Sequence, residues 1–268
     1  MLRISVANDC ATSAGDRKMA DTMQVKSKQR VADHGEVFTA EREVKAMCDL
    51  VRSETERIES RFLEPACGDG NFLVEILRRK LAVVKGRYGK NAHDYERYSV
   101  LSVTSLYGVD ILPDNADACR ARLFGIWDEE YRAAVKGSAD ERCRDAVRFI
   151  LERNIVCGDA LTLLRNDGEP IIFAEWSAVN GVMLKRRDFR LDVLLKENAD
   201  DNQYDMQLSL FVEDTNDAND VSHWDYDTET RMYIPKPVRE YPLTDYREVQ
   251  HSEVQHSETQ DREVQHGE

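Results

Sequence analysis

No apolar run of about 18 residues or more occurs in this 268-residue chain, so the sequence holds no helix able to cross a bilayer. The first 30 residues are polar and mixed in charge, without the basic start and apolar centre of a secretory leader. A soluble, cytoplasmic protein is expected. The six cysteines, Cys10, Cys48, Cys67, Cys119, Cys143 and Cys157, include no Cys-x-x-Cys pair, which removes the usual zinc and dithiol frames. They read as small buried apolar residues in a reducing compartment, with no metal site expected. Basic charge is short as well: 37 Lys and Arg face 51 Asp and Glu, a net charge of -14, which excludes a protein whose overall field holds DNA. Proline is scarce, with six residues at 65, 113, 170, 235, 237 and 242, and no two are adjacent.

What the chain does have begins at Phe62. Residues 62–72, Phe-Leu-Glu-Pro-Ala-Cys-Gly-Asp-Gly-Asn-Phe, read as an apolar strand ending in an acid, a Gly-x-Gly turn, and a helix start with apolar positions Phe72, Leu73, Ile76 and Leu77. Glycine at 68 and 70 removes side chains that would hold a ligand off the backbone, and the helix start offers free amides above the turn. A dinucleotide site wants Gly-x-Gly-x-x-Gly, and the third position is taken by Leu73. An acid beside the turn, Glu64 or Asp69, suits a cationic ligand better than a pyrophosphate. S-adenosylmethionine, with its ammonium and sulfonium groups, is such a ligand.

Three more elements stand in order around this turn: His34-Gly35-Glu36-Val37-Phe38-Thr39-Ala40 upstream, then Tyr107-Gly108-Val109-Asp110-Ile111, then Asn154-Ile155-Val156-Cys157-Gly158-Asp159-Ala160-Leu161. With them, roughly residues 34 to 190 resemble the amino-terminal half of bacterial DNA adenine methyltransferases of the restriction-modification type, in which the cofactor motifs come first. The resemblance implies an α/β fold, a doubly wound and mostly parallel sheet of the Rossmann-like methyltransferase type. It implies S-adenosylmethionine as cofactor, held by Phe38 and Thr39 of a Gly-x-x-Phe-Thr-Pro element in which Ala40 replaces the proline. Glu64, Ala66, Gly68, Gly70 and Asn71 would form the cofactor loop, Asp110 and Ile111 the ribose site, and Asp159 and Ala160 the adenine site. A strand-end carboxylate at Asp110 suits both ribose hydroxyls at once. Asp110 follows Gly70 by 40 residues, where a minimal strand-helix-strand unit needs about 20, and the surplus around Tyr95 to Leu101 reads as an extra helical piece. The alternative is that Glu64, Asp69, Asp110 and Asp159 are ordinary polar residues at strand ends.

The family's catalytic element, Asn or Asp followed by Pro-Pro and an aromatic residue, accepts hydrogen bonds from the target amine and stacks on the flipped base. No Pro-Pro pair exists here. At the corresponding place the chain reads Pro170-Ile171-Ile172-Phe173-Ala174-Glu175-Trp176-Ser177, a short strand followed by a carboxylate and an aromatic that together offer a replacement pocket. A site that only binds cofactor is the stronger reading, and a rewired active site at Glu175 and Trp176 the weaker.

Two basic clusters interrupt the acidic background. Arg78-Arg79-Lys80 with Lys85, Arg87 and Lys90 suits the end of the helix that follows the turn. Lys185-Arg186-Arg187 with Arg190 is the better nucleic-acid candidate, against a solvated basic turn. Since no stretch is long enough for a separate target-reading domain, DNA recognition is expected to need a partner subunit.

Five segments are expected. Residues 1–30 are a disordered tail in which Met19 or Met23 is an alternative start; residues 31–196 form the cofactor-binding domain. Within it, Glu41 to Glu56 carries a helical stripe at Val44, Met47, Cys48 and Val51. Pro113 opens a helix with Ala116, Cys119, Leu123, Ile126 and Trp127 at helical spacing, and Ala139 to Arg153 makes another. Trp127, Tyr131 and Phe149 are assigned to the core. Residues 197–230 are an acidic arm with eleven acids and no Lys or Arg. Inside it Gln207-Leu208-Ser209-Leu210-Phe211 resembles the peptide by which bacterial polymerases and repair factors dock on the sliding clamp, with Gln207 in a polar subsite and Leu208, Leu210 and Phe211 as apolar contacts. A short edge strand is the alternative. Residues 231–246 read as an extended strap and residues 247–268 as a disordered repeat of Glu-Val-Gln-His.

Overall fold

In the computed structural model, which describes residues 2–4, 26–34, 36–195, 224–227, 232–251 and 253, all five residues of one strand, Leu106–Asp110, are buried. Burial on both faces is the mark of a parallel strand covered by helices. The chain divides into two units between Asp140 and Glu141. This division falls inside the stretch 31–196 that the sequence suggests as one domain.

In the first unit β1 (Leu2–Ile4), β2 (Arg61–Glu64) and β3 (Leu106–Asp110) pair in parallel, in that order. Residues 1–30 are therefore not wholly a disordered tail: Leu2–Ile4 runs beside β2, and a helix, α1 (Lys28–His34), opens before residue 30. The register sets Glu64 opposite Gly108, so Glu64 and Asp110 leave the sheet at the same carboxyl-terminal edge, where ligands of such sheets bind.

The helical stripe at 41–56 is broken, giving α2 (Glu41–Leu50) and α3 (Arg52–Thr55). Val44 and Cys48 are buried, while Val51, at the break, is not. After the turn, α4 (Asn71–Tyr88) buries Leu73, Leu77, Leu81 and Val84, the face demanded by helical spacing. The surplus before Asp110 is α5 (Ala92–Thr104), whose start is capped by the Asn91 side chain accepting from the amides of His93 and Asp94. Pro113 occupies the first turn of α6 (Pro113–Val135), as its missing N–H allows. Trp127 and Tyr131 are wholly buried on α6: the indole donates to Ser99 Oγ at 3.0 Å and the Tyr131 hydroxyl donates to Glu96.

The second unit is antiparallel. Helix α7 (Glu141–Asn154) leads into β4 (Ile155–Asp159), which pairs with β5 (Leu164–Arg165). Strands β6 (Ile172–Ala178) and β7 (Met183–Arg190) form a hairpin along their whole length. The expected strap 231–246 supplies β9 (Met232–Pro235), which pairs with β8 (Trp224–Asp227), and then β10 (Arg239–Glu240) and β11 (Thr244–Asp245), both antiparallel to β7. The protein is α/β, with a mostly parallel sheet. Among the described residues no helix is long and apolar enough to cross a membrane. The peptide Gln207, Leu208, Leu210, Phe211 lies outside the described residues.

Candidate cofactor site

The Gly-x-Gly turn is held from both sides by backbone bonds. The Cys67 amide donates to Val109 O at 2.9 Å, the Gly70 amide to Cys67 O at 2.8 Å, and Gly70 adopts φ 93°, which favours glycine and starts α4 without a side-chain cap. Gly68, at φ 53°, donates its amide to Asp110 Oδ2 at 2.8 Å. The other oxygen of Asp110 accepts from the Leu112 amide at 2.9 Å and from Asn115 Nδ2 at 3.2 Å. A carboxylate offers about four lone-pair sites, so three are committed within the chain and one is left for a ligand hydroxyl. Ile111 beside Asp110 is half exposed and presents an apolar surface.

Phe38 and Thr39 arrive at the same turn. A Cβ on Gly68 would lie 2.8 Å from the Phe38 ring, and the Thr39 carbonyl accepts from Asn71 Nδ2 at 3.2 Å. Glycine at 68 thus serves close packing inside the chain as well as its backbone angle. Asp69 pairs with Arg122 at 2.7 Å, and Arg122 also donates to Asn71 Oδ1 at 3.0 Å. The second Asp69 oxygen is buried and lacks a hydrogen-bond partner.

Glu64 is the least compensated charge of the group. Its side chain lines a depression with Met47, Cys48, Val51, Thr55, Phe62, Leu63, Phe72, Leu73 and Ile76. Burial in this apolar wall pushes its carboxyl up to about 8, against the opposing pull of one hydrogen bond from the Ala66 amide. Cys67 sits beside Cys119, and that contact together with burial raises its thiol well above the ordinary value. It is a packing residue and not a thiolate nucleophile.

A further clasp has no counterpart in the motifs. Arg30 on α1 holds Glu36 through two nitrogens at 2.6 and 2.7 Å and Asp114 at 2.7 Å, while Asn115 donates to Glu36 at 2.8 Å. The Arg30 guanidinium holds the Glu36 carboxyl below its ordinary value. Lys26 reaches the same Asp114 and lies 5.7 Å from the Phe38 ring centroid. The segment that carries Phe38 and Thr39 is thereby pinned to the start of α6. Long-range ion pairs carry no periodicity, and only the acid-amide pair Asp114-Asn115 after Pro113 hinted at them.

The remaining expected residues lie in the second unit. Asp159 Oδ1 accepts from the Leu161 amide at 2.8 Å and closes a turn that includes Ala160. Glu175 and Trp176 are neighbours within β6, so strand alternation sends them to opposite faces. Glu175 pairs with Arg187 at 2.5 Å; Trp176 is buried, stands edge-on to Phe149 and donates to Asn154 Oδ1 at 3.0 Å. Along the strand the two side chains therefore face apart. The basic cluster is divided likewise along β7. Lys185 pairs with Glu240 at 2.9 Å, Arg187 with Glu175, and Arg186 is buried against Asp188. Each of the three cations thus has an acid partner within the chain, and Lys185 and Arg187 remain partly exposed. Among the described residues no cluster of His, Cys, Asp or Glu could hold a metal ion.

No family model matches the chain, and neither a curated protein nor a solved structure is similar to it.

Proposed function

We propose that this chain binds S-adenosylmethionine through Glu64, the Gly68–Gly70 turn and Asp110, as the cofactor-binding part of a DNA adenine methyltransferase of the restriction-modification type. The observation that carries the reading is the Glu64 carboxyl, half-buried in an apolar wall beside a glycine turn that Asp110 clasps and, among the described residues, without a cation. An unpaired buried acid opposes folding, and a ligand ammonium would relieve it. When bound, the cofactor supplies an electrophilic methyl on a sulfonium. Glu64 and the Ala66 amide would hold its ammonium end, Asp110 one ribose hydroxyl, and Ile111 the apolar face of the base.

Transfer to DNA then depends on a partner subunit. The separated Glu175 and Trp176 and the paired Lys185, Arg186 and Arg187 favour this over activity of the single chain. They also support a second reading, a non-catalytic accessory protein that docks on a partner methyltransferase or, through Gln207 to Phe211, on a sliding clamp.

Calorimetric titration of the purified chain tests the cofactor reading. S-adenosylmethionine or its demethylated product should bind, and Asp110→Ala should weaken binding by about 1.5 to 3 kcal/mol through loss of a charged hydrogen bond and of the bonds that fix Gly68 and Asn115. Absence of heat and of thermal shift with either ligand removes the proposal.

Glu64→Gln separates function from folding. Because the folded carboxyl is raised to about 8 from 4.5, the unfolded chain loses its proton first, and stability should fall as pH rises between those values. The glutamine variant should not show this fall and should be more stable than the parent at pH 8 by about 2 to 4 kcal/mol, while binding the cofactor at least about tenfold more weakly. Ligand binding to the parent near pH 7 should release a proton, measured from the dependence of binding heat on buffer. A glutamine variant that binds as well as the parent would unseat Glu64 from the site.

A further inference from the structure

The carboxyl-terminal repeat is docked through its first copy. Residues 247–253, Arg-Glu-Val-Gln-His-Ser-Glu, follow β11, with a 3-10 turn at Val249–His251. Glu248 pairs with Arg142 on α7 at 3.0 Å, and Val249 is buried at 2 % exposure. Glu253 is gripped by two guanidinium groups, Arg153 at 2.9 Å and Arg186 at 3.0 Å. The peptide is thus held by one apolar anchor and an acid on each side of it, five residues apart.

Those contacts are spelled out again further along the chain. Residues 262–268 read Arg-Glu-Val-Gln-His-Gly-Glu and repeat 247–253 with a single change, Ser252 to Gly267. Residues 253–258 repeat the shorter Glu-Val-Gln-His-Ser-Glu. Glu263, Val264 and Glu268 stand at the spacing of Glu248, Val249 and Glu253, so every side chain that grips the groove has an equivalent. The changed position is none of the three anchors.

We infer that the groove formed by Arg142, Arg153 and Arg186 is a peptide-binding surface that takes residues 262–268 of the same chain in place of 247–253. The two heptapeptides are alternative occupants of one site. A tethered segment meets the groove at a high effective concentration, whereas a second molecule must be supplied at that concentration to compete. Moving the clasp by 15 residues lengthens the loop after Tyr246, and closure entropy grows only with the logarithm of loop length, so the registers lie close in free energy. The exchange releases 247–261 from the groove and gives Arg153 and Arg186 the Glu268 carboxylate in place of that of Glu253.

Thermal unfolding of the full chain tests this in a background carrying Val254→Asp, which disables the shorter copy. Val249→Asp alone should lower the melting temperature by no more than ~2 °C, because the last heptapeptide takes the groove. Val264→Asp alone should change nothing measurable. The two together should lower it by ~5 °C or more, a non-additive loss. A synthetic peptide of the 262–268 sequence, added to that doubly altered chain, should restore most of the shift. A Val249→Asp loss as large as that of the pair overturns the inference, as does a pair that melts like the parent. Rescue of Val249→Asp seen only where sedimentation detects dimers overturns the assignment to the same chain.

Discussion

Arg186→Met is expected to destabilise the folded chain by about 3 to 5 kcal/mol, whereas Lys185→Ala and Arg187→Ala should each cost less than about 1 kcal/mol. The three residues are adjacent in sequence, and strand alternation puts Arg186 on one side of β7 and Lys185 and Arg187 on the other. Arg186 is 4 % exposed and forks onto Asp188, Nε to Oδ1 and Nη2 to Oδ2, both at 2.8 Å. Its guanidinium lies 4.1 Å from the Tyr241 ring centroid, with the Phe149 and Trp176 rings at 5.4 and 5.6 Å. Methionine fills most of that volume but leaves the buried Asp188 carboxylate without its cation, which is the costly outcome. Lys185 and Arg187 have partly exposed partners, and such pairs contribute little. Urea unfolding of the three variants gives the comparison. An unchanged midpoint in Arg186→Met would mean that the cation is dispensable to the fold and free for another task. DNA binding read as a function of salt supplies the complementary measurement: if Lys185 and Arg187 contact phosphate, their loss should flatten the salt dependence.

The same alternation explains what could be read from the sequence and what could not. The strand, turn and helix at 62–72 carry their own signals, since apolar runs, glycine and helical spacing are local properties. Pro113 and the surplus helix at 92–104 were legible for the same reason. A basic triplet, by contrast, looks like one patch until strand pairing puts alternate members on opposite faces, and the Glu175-Trp176 pair is divided in the same way. The extent of β6 was hidden because its partner β7 carries the basic run Lys185-Arg186-Arg187, which resembles a turn. The clasp among Arg30, Glu36, Asp114 and Asn115 joins residues up to 85 positions apart, beyond the reach of any periodic pattern. Arg78-Arg79-Lys80 with Lys85, Arg87 and Lys90 reads as the cationic end of a helix; Lys85 and Arg87 do stand in the last turn of α4, but Lys80 falls seven residues after Leu73 and four before Val84. That spacing puts it on the buried face with Leu77 and Leu81, and the pattern was available in the sequence under the charge.

Lys80→Met should therefore have an effect that depends strongly on pH. The Lys80 ammonium is wholly buried, donates to Ile58 O at 3.2 Å, to Ser60 O and to Ser105 Oγ, and lies 5.1 Å from the Phe62 ring centroid. These bonds tie α4 to the chain entering β2 and to the residue before β3, where the Phe62 amide also donates to Ser105 O at 2.9 Å. They fix the relative height of the two strands whose far ends carry Glu64 and Asp110. Burial pulls the Lys80 amine down to about 7 from 10.5, so across that interval the unfolded chain holds a proton that the folded chain does not. Stability contributed by this site rises with pH through the interval by about 1.4 kcal/mol per unit, and the deficit is complete below it. Methionine removes the titration together with the donors. The gap between parent and variant should widen by about 3 kcal/mol from pH 6.5 to pH 9.5, with the parent the more stable at the upper end, where its neutral amine still donates. Urea unfolding at the two pH values measures it, and a gap that stays constant would show that the ammonium keeps its proton inside the fold. Cofactor affinity gives the link to the site: a loss in Lys80→Met that follows the strand positions should appear at Asp110 and Glu64 together, as a weaker enthalpy and not as a changed proton release.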